Sequence, residues 1–153
     1  MIKEGEAAPD FALRDAGGHE VRLSELRGRR VALYFYPKDD TPGCTKQACS
    51  LRDSAVELKE RGIEVIGISP DSEQSHRQFA DKYGLPFTLL SDPGHEVADL
   101  YGAWGERVNY AGRRVVGILR TTFLIDEEGV VEKVLDKVDV EAHAGEVLAA
   151  FGG

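Results

Sequence analysis

The chain has few cysteines, no surplus of positive charge and no long apolar run, and each shortage removes a class of function. Its longest purely apolar stretch, Val31 to Tyr36, is far short of the roughly 20 apolar residues of a membrane helix. Lys and Arg number 19 against 27 Asp and Glu, for a net charge of -8. Phosphate backbones and anionic membranes are bound by clustered Lys and Arg, and here the basic residues are scattered, so neither is an expected partner. Met1 to Leu13 carries Lys3, Glu4, Glu6 and Asp10 where a signal peptide has an unbroken apolar core. The cytoplasm is therefore the expected location. In a reducing compartment two cysteines are more often catalytic or metal-binding than structural.

What is present suffices for one folded unit. A chain of 153 residues, 42% hydrophobic and 30% charged, falls within the range of an ordinary domain and needs no metal or disulfide staple. With no repeat, linker or low-complexity tract, a single domain over 1–153 is expected. Phe11 to Leu26 reads as a hairpin turning at Gly17-Gly18, and Arg30 to Pro37 as a strand buried on both faces. Apolar Ala48, Leu51, Ala55 and Leu58 recur at helical spacing, predicting one long helix from Pro42 to about Arg61, stopped by Gly62.

Ile63 to Ser69 predicts a second buried strand, and Asp71 with Gln74 a helix start running to Tyr83 and Gly84. A short strand at Phe87 to Leu90 and a short helix at His95 to Tyr101 follow. Val115 to Asp126 and Val130 to Val138 read as strands paired across Glu128-Gly129, before a helix from Val140 to Phe151. The order predicts an α/β fold with a mixed central sheet flanked by helices and an N-terminal β-hairpin. Working sites in such sheets lie where a strand ends and a helix begins, here Pro37 to Cys44.

Thr41 is a good N-cap and Pro42 suits the first helical position, which places Cys44 third in the helix. Free amides and the positive end of the helix dipole favour the thiolate, the form that attacks. Against this stand a small buried thiol and Asp40 as a rival cap, which would bring negative charge near the sulfur. Cys49 lies five residues on. In an intact helix that separates the Cα atoms by roughly 8.5 Å and turns the side chains about 140° apart, whereas a disulfide needs Cα atoms within about 7 Å. Closing the pair requires unwinding; an inert packed Cys49 is the alternative. Zinc takes about four ligands, and His19, His76, His95 and His143 do not group with the cysteines by spacing.

Val115 to Ile125 is apolar on both alternating faces and predicts one central strand, interrupted by Arg120. A buried guanidinium needs an anion. The candidates are the Cys44 thiolate with its substrate or a carboxylate such as Asp39.

The segment Tyr36-Pro37-Lys38-Asp39-Asp40-Thr41-Pro42-Gly43-Cys44-Thr45-Lys46-Gln47-Ala48-Cys49 resembles the peroxidatic segment of the peroxiredoxins, in the bacterioferritin comigratory protein (peroxiredoxin Q) subfamily. Gly67 to Ser72, Tyr83 to Phe87, Leu90 to Pro93 and Arg120 to Asp126 are similar to further family blocks in the expected order. The resemblance implies a thioredoxin-like fold and a thiol peroxidase. It implies Cys44 as peroxidatic and Cys49 as resolving cysteine, with Thr41, Arg120 and Pro37 completing the site. It also implies recycling by thioredoxin or a similar dithiol. Chemistry carried by the thiols needs no cofactor, and the ligand count argues against a metal. A monomer is expected, with a dimer as the alternative. A thioredoxin-type disulfide exchanger, whose cysteines are normally two residues apart, and a non-enzymatic redox sensor are the rival functions.

Overall fold

The structure, a computed structural model, describes residues 1–109 and 111–151. Seven strands form the main sheet: β1 (Ala12–Asp15), β2 (Glu20–Arg22), β3 (Arg30–Phe35), β4 (Ile63–Ser69), β5 (Thr88–Ser91), β8 (Thr121–Ile125) and β9 (Val131–Leu135). Their spatial order is β2-β1-β5-β4-β3-β8-β9. The central trio β3, β4 and β5 is parallel; β1 runs antiparallel to β5 on one side, and on the other β8 runs antiparallel to β3 and β9 antiparallel to β8. The mixed sheet and the N-terminal hairpin β1–β2 are as expected.

Burial on both faces explains the unbroken apolar run of β3. Side chains alternate across a strand, and Val31, Leu33 and Phe35 join one apolar cluster while Ala32, Tyr34 and Tyr36 join the other. Five helices flank the sheet: α1 (Pro42–Asp53), α2 (Ala55–Glu60), α3 (Glu73–Tyr83), α4 (Glu96–Tyr101) and α5 (His143–Ala150). Ala48 and Leu51 of α1, Leu58 of α2, Phe79 of α3 and Val147 of α5 fill the second cluster. Val97 and Tyr101 of α4 fill the first, with Phe11 and Phe123. Among the described residues no helix is long and apolar enough to cross a membrane.

Three local expectations are corrected. The helix predicted from Pro42 to Arg61 is two helices broken at Ser54, whose backbone (φ -108, ψ 15) leaves the helical path. Short polar side chains such as Asp53 and Ser54 compete with helical hydrogen bonding. The start of α3 is capped by Ser72, whose hydroxyl accepts from the Ser75 amide at 3.1 Å, and not by Asp71. The single strand predicted over Val115 to Ile125 is two: β7 (Arg114–Ile118) leaves the main sheet and pairs with β6 (Trp104–Val108), a strand the sequence reading did not assign. The chain turns at Leu119, whose amide donates to the Ala103 carbonyl at 2.7 Å. That turn takes Arg120 out of the ladder, where its charge could not be buried.

Candidate active site

Strand β3 ends beside the start of α1, and the chain between them builds the site. Thr41 occupies the N-cap in extended conformation (φ -92, ψ 156) with Pro42 at the first helical position, as expected. Its hydroxyl does not cap the helix. It donates instead to the Lys38 carbonyl at 2.8 Å, and no acidic residue sits in the first turn. The first-turn amides thus keep no side-chain acceptor among the described residues, and their dipoles face whatever negative charge forms there. Asp40, the rival cap, points away. In the left-handed region (φ 57), it binds Lys82 Nζ at 2.7 Å and Tyr83 Oη at 2.6 Å, and the Lys82 hydrogen bond holds its carboxyl below the usual range.

Cys44 is 2% exposed on the inward stripe of α1, with Gln47, Ala48 and Leu51. Two features distinguish it from an ordinary packed thiol. Arg120 Nη2 donates to its Sγ at 3.3 Å, and Arg120 Nη1 donates to Gln47 Oε1. The guanidinium therefore bridges the sulfur and a side chain one helical turn further on. Gly43 makes room for it, since a Cβ there would lie 3.3 Å from Arg120 Nη2. A fixed cation at that position stabilises charge on the sulfur or on an oxygen bound to it.

Asp39, the other anion considered for Arg120, is engaged elsewhere. Its carboxylate accepts from Tyr36 Oη at 2.5 Å and Ser75 Oγ at 2.8 Å and meets His76 Nδ1 at 2.7 Å. Pro37 is half-buried on the same segment. Cys49 is half-buried in the same unbroken α1, and both thiols are free. Helical geometry keeps their side chains on different faces while α1 is intact.

Gln47 escaped the sequence reading, although its signal was there: a polar residue on the apolar stripe three positions after Cys44, fully buried in the structure. His143 escaped it too. Buried beneath Tyr34, it meets Thr122 Oγ1 through Nε2 at 2.9 Å and Glu146 Oε1 through Nδ1 at 3.0 Å. Burial pushes its pKa down from the ordinary 6.5.

The AhpC/TSA family matches residues 5–134. The chain is a peroxiredoxin of that family. It is 50% identical over 147 residues to a putative peroxiredoxin Bcp of Coxiella burnetii, covering 96% of this chain and 97% of the relative. Peroxiredoxin Bcp of Escherichia coli K12 is 47% identical over 147 residues, covering 96% and 94%. A solved structure of the Xanthomonas campestris bacterioferritin comigratory protein, described for its alkyl peroxide reduction activity, superposes with a TM-score of 0.84 at 37% identity, covering 92% of this chain and 88% of that one. The fold of this peroxiredoxin is accordingly thioredoxin-like, and its chemistry is that of a thiol-dependent peroxidase.

Proposed function

We propose that this peroxiredoxin reduces hydrogen peroxide and organic hydroperoxides at Cys44 and recycles through a Cys44–Cys49 disulfide. The observation that carries the reading is the Arg120 guanidinium 3.3 Å from Cys44 Sγ at the amide-rich start of α1. The Cys44 thiolate attacks the terminal oxygen of the hydroperoxide and the O–O bond breaks. The departing alkoxide or hydroxide takes a proton and leaves as alcohol or water, and the sulfur is left as a sulfenic acid. Arg120 and the first-turn amides stabilise the charge that develops on the departing oxygen, Thr41 orients the peroxide, and Pro37 shields the sulfur from bulk water.

The first turns of α1 then unwind, Cys49 sulfur attacks the Cys44 sulfur, and water departs as the disulfide forms. Thioredoxin or a similar dithiol restores both thiols by exchange, itself becoming a disulfide. The alkyl peroxide activity described for the Xanthomonas relative supports organic hydroperoxides as substrates. The setting that fits is a single domain acting as a monomer in a reducing cytoplasm, with a dimer as the alternative and neither nucleic acid nor membrane as partner.

Coupled turnover with thioredoxin, its reductase and NADPH tests the assignment. Cys44→Ser abolishes peroxide-dependent NADPH consumption, and retained turnover contradicts the role of Cys44. Cys49→Ser permits oxidation of Cys44 but ends thioredoxin-dependent cycling, and full cycling removes the resolving role alone.

A further inference from the structure

The buried polar cluster beside the site contains a proton that hydrogen-bond bookkeeping requires. The Leu90 carbonyl can only accept, so His76 Nε2, 2.9 Å from it, carries a hydrogen. His76 Nδ1 then lies 2.7 Å from Asp39 Oδ2, with the two side chains 0% and 4% exposed. Bare lone pairs on both atoms would repel at that distance in a place closed to water, so one proton sits between them. The pair is neutral as a whole, which is how a carboxylate and an imidazole are tolerated in the interior.

This pair holds the chain leading into Cys44. The Asp39 carboxylate also accepts from Tyr36 and from Ser75, while the Asp39 amide donates to Asp71 Oδ2 at 2.8 Å. Asp71 in turn accepts from Ser69 Oγ at 2.7 Å. Residue 39 is thereby tied by backbone and side chain to the end of β4 and the first turn of α3. Its neighbour Lys38 offers the carbonyl that receives the Thr41 hydroxyl, and Asp40 beyond is held in the left-handed region, a conformation that a non-glycine residue keeps only when its surroundings enforce it.

We propose that Asp39 and His76 are positioning residues for the reaction at Cys44. Through the Lys38 carbonyl they set the direction of the Thr41 hydroxyl and the entry of the chain into α1. Neither touches the sulfur. The inference rests on Cys44 being the residue that peroxide oxidises.

Rapid mixing with hydrogen peroxide, reading the rate of Cys44 oxidation in proteins verified as folded by circular dichroism, tests it. Loss of one such anchor is expected to slow Asp39→Ala about tenfold and Ser75→Ala, a helix-compatible change that keeps the fold, about threefold. Asp39→Asn should return to within about threefold of wild type, because its amide can donate to Nδ1 of an imidazole that keeps its proton on Nε2. A merely structural role predicts lower melting temperatures with wild-type rates. Wild-type rates in Asp39→Ala or Ser75→Ala, or an Asn variant as slow as the Ala variant, overturn the proposal. If Asp39→Ala does not fold, Ser75→Ala decides. A wild-type protein that peroxide does not oxidise at Cys44 sinks the reading of Cys44 and this inference together, whereas unaltered rates in the variants sink the inference alone.

Discussion

At the scale of single residues, the guanidinium of Arg120 has two hydrogen-bond partners among the described residues, and only one of them is the sulfur. Gln47 Oε1 accepts its other arm and fixes the angle at which the cation meets Cys44. Hydrogen bonds to charged groups contribute about 1.5–3 kcal/mol. Replacing Gln47 by Leu leaves the guanidinium free to swing, and Cys44 oxidation should slow by about tenfold or more in a protein that circular dichroism shows to be folded; stopped-flow mixing with peroxide measures this. An unchanged rate would show that Arg120 is held by its surroundings without Gln47.

His143 gives a prediction in pH. Its folded-state pKa lies below the ordinary 6.5 because burial disfavours the charged ring, with the nearby Arg120 charge acting the same way and Glu146 opposing. As pH falls below 6.5 the unfolded chain takes up a proton that the folded protein refuses, so the unfolded state binds more protons and stability falls with acidification. Urea unfolding at pH 7.5 and 5.5 should show a larger loss in the wild type than in His143→Gln. Equal losses would contradict the assignment.

At the scale of elements, the question is what holds α1 closed. Its middle is tied to α5 by the Ala144 amide, which donates to Ser50 Oγ at 3.1 Å, and to the segment just before α5 by an exposed Lys46–Glu141 pair at 3.2 Å. Exposed pairs contribute little, so the Ser50 bond is the stronger tether, and it also satisfies a first-turn amide of α5 that no cap residue serves. Ser50→Ala should speed the conversion of sulfenic acid to disulfide by about fivefold, the equivalent of about 1 kcal/mol. Single-turnover mixing that resolves the second step measures it, and a slower second step would show that α5 guides the rearrangement instead of resisting it.

Periodicity located most elements because apolar spacing reports burial directly. The buried strands β3 and β4, the pair β8–β9 and the start of α1 all follow from it. It failed for β6, where Gly105, Glu106 and Arg107 interrupt any alternation and pairing with β7 alone makes the strand. It failed at Leu119–Arg120, because apolar flanks hid a turn that only tertiary contact reveals.

At the scale of the whole molecule, the site is where separate parts of the chain converge at one end of the sheet. Cys44 and Thr41 could be named as candidates because Thr41-Pro42 marks a helix start with Cys44 in its first turn, but the bond from the Thr41 hydroxyl to the Lys38 carbonyl could not be read from that segment. Arg120 was legible as a charge out of place in an apolar run, although its partner was open between Asp39 and Cys44 until the fold placed Asp39 against His76. The Asp39–His76 pair itself was not legible: residues so far apart in sequence meet only because α3 lies beside the end of β3. Gln47 was hidden for a different reason, since an amide on an apolar stripe looks like a tolerated exception until a buried cation is found beside it.

The proposed cycle needs one residue to be oxidised and another to close the disulfide from a different face of the same helix. Rapid mixing with one equivalent of hydrogen peroxide, followed by intact-mass analysis, tests this most directly. The wild type is expected to lose two hydrogens as the Cys44–Cys49 disulfide forms, and Cys49→Ser to gain a single oxygen, located at Cys44 by peptide mapping. Oxygen found on Cys49 in the wild type, or a Cys44→Ser protein that consumes peroxide at the wild-type rate, would contradict it.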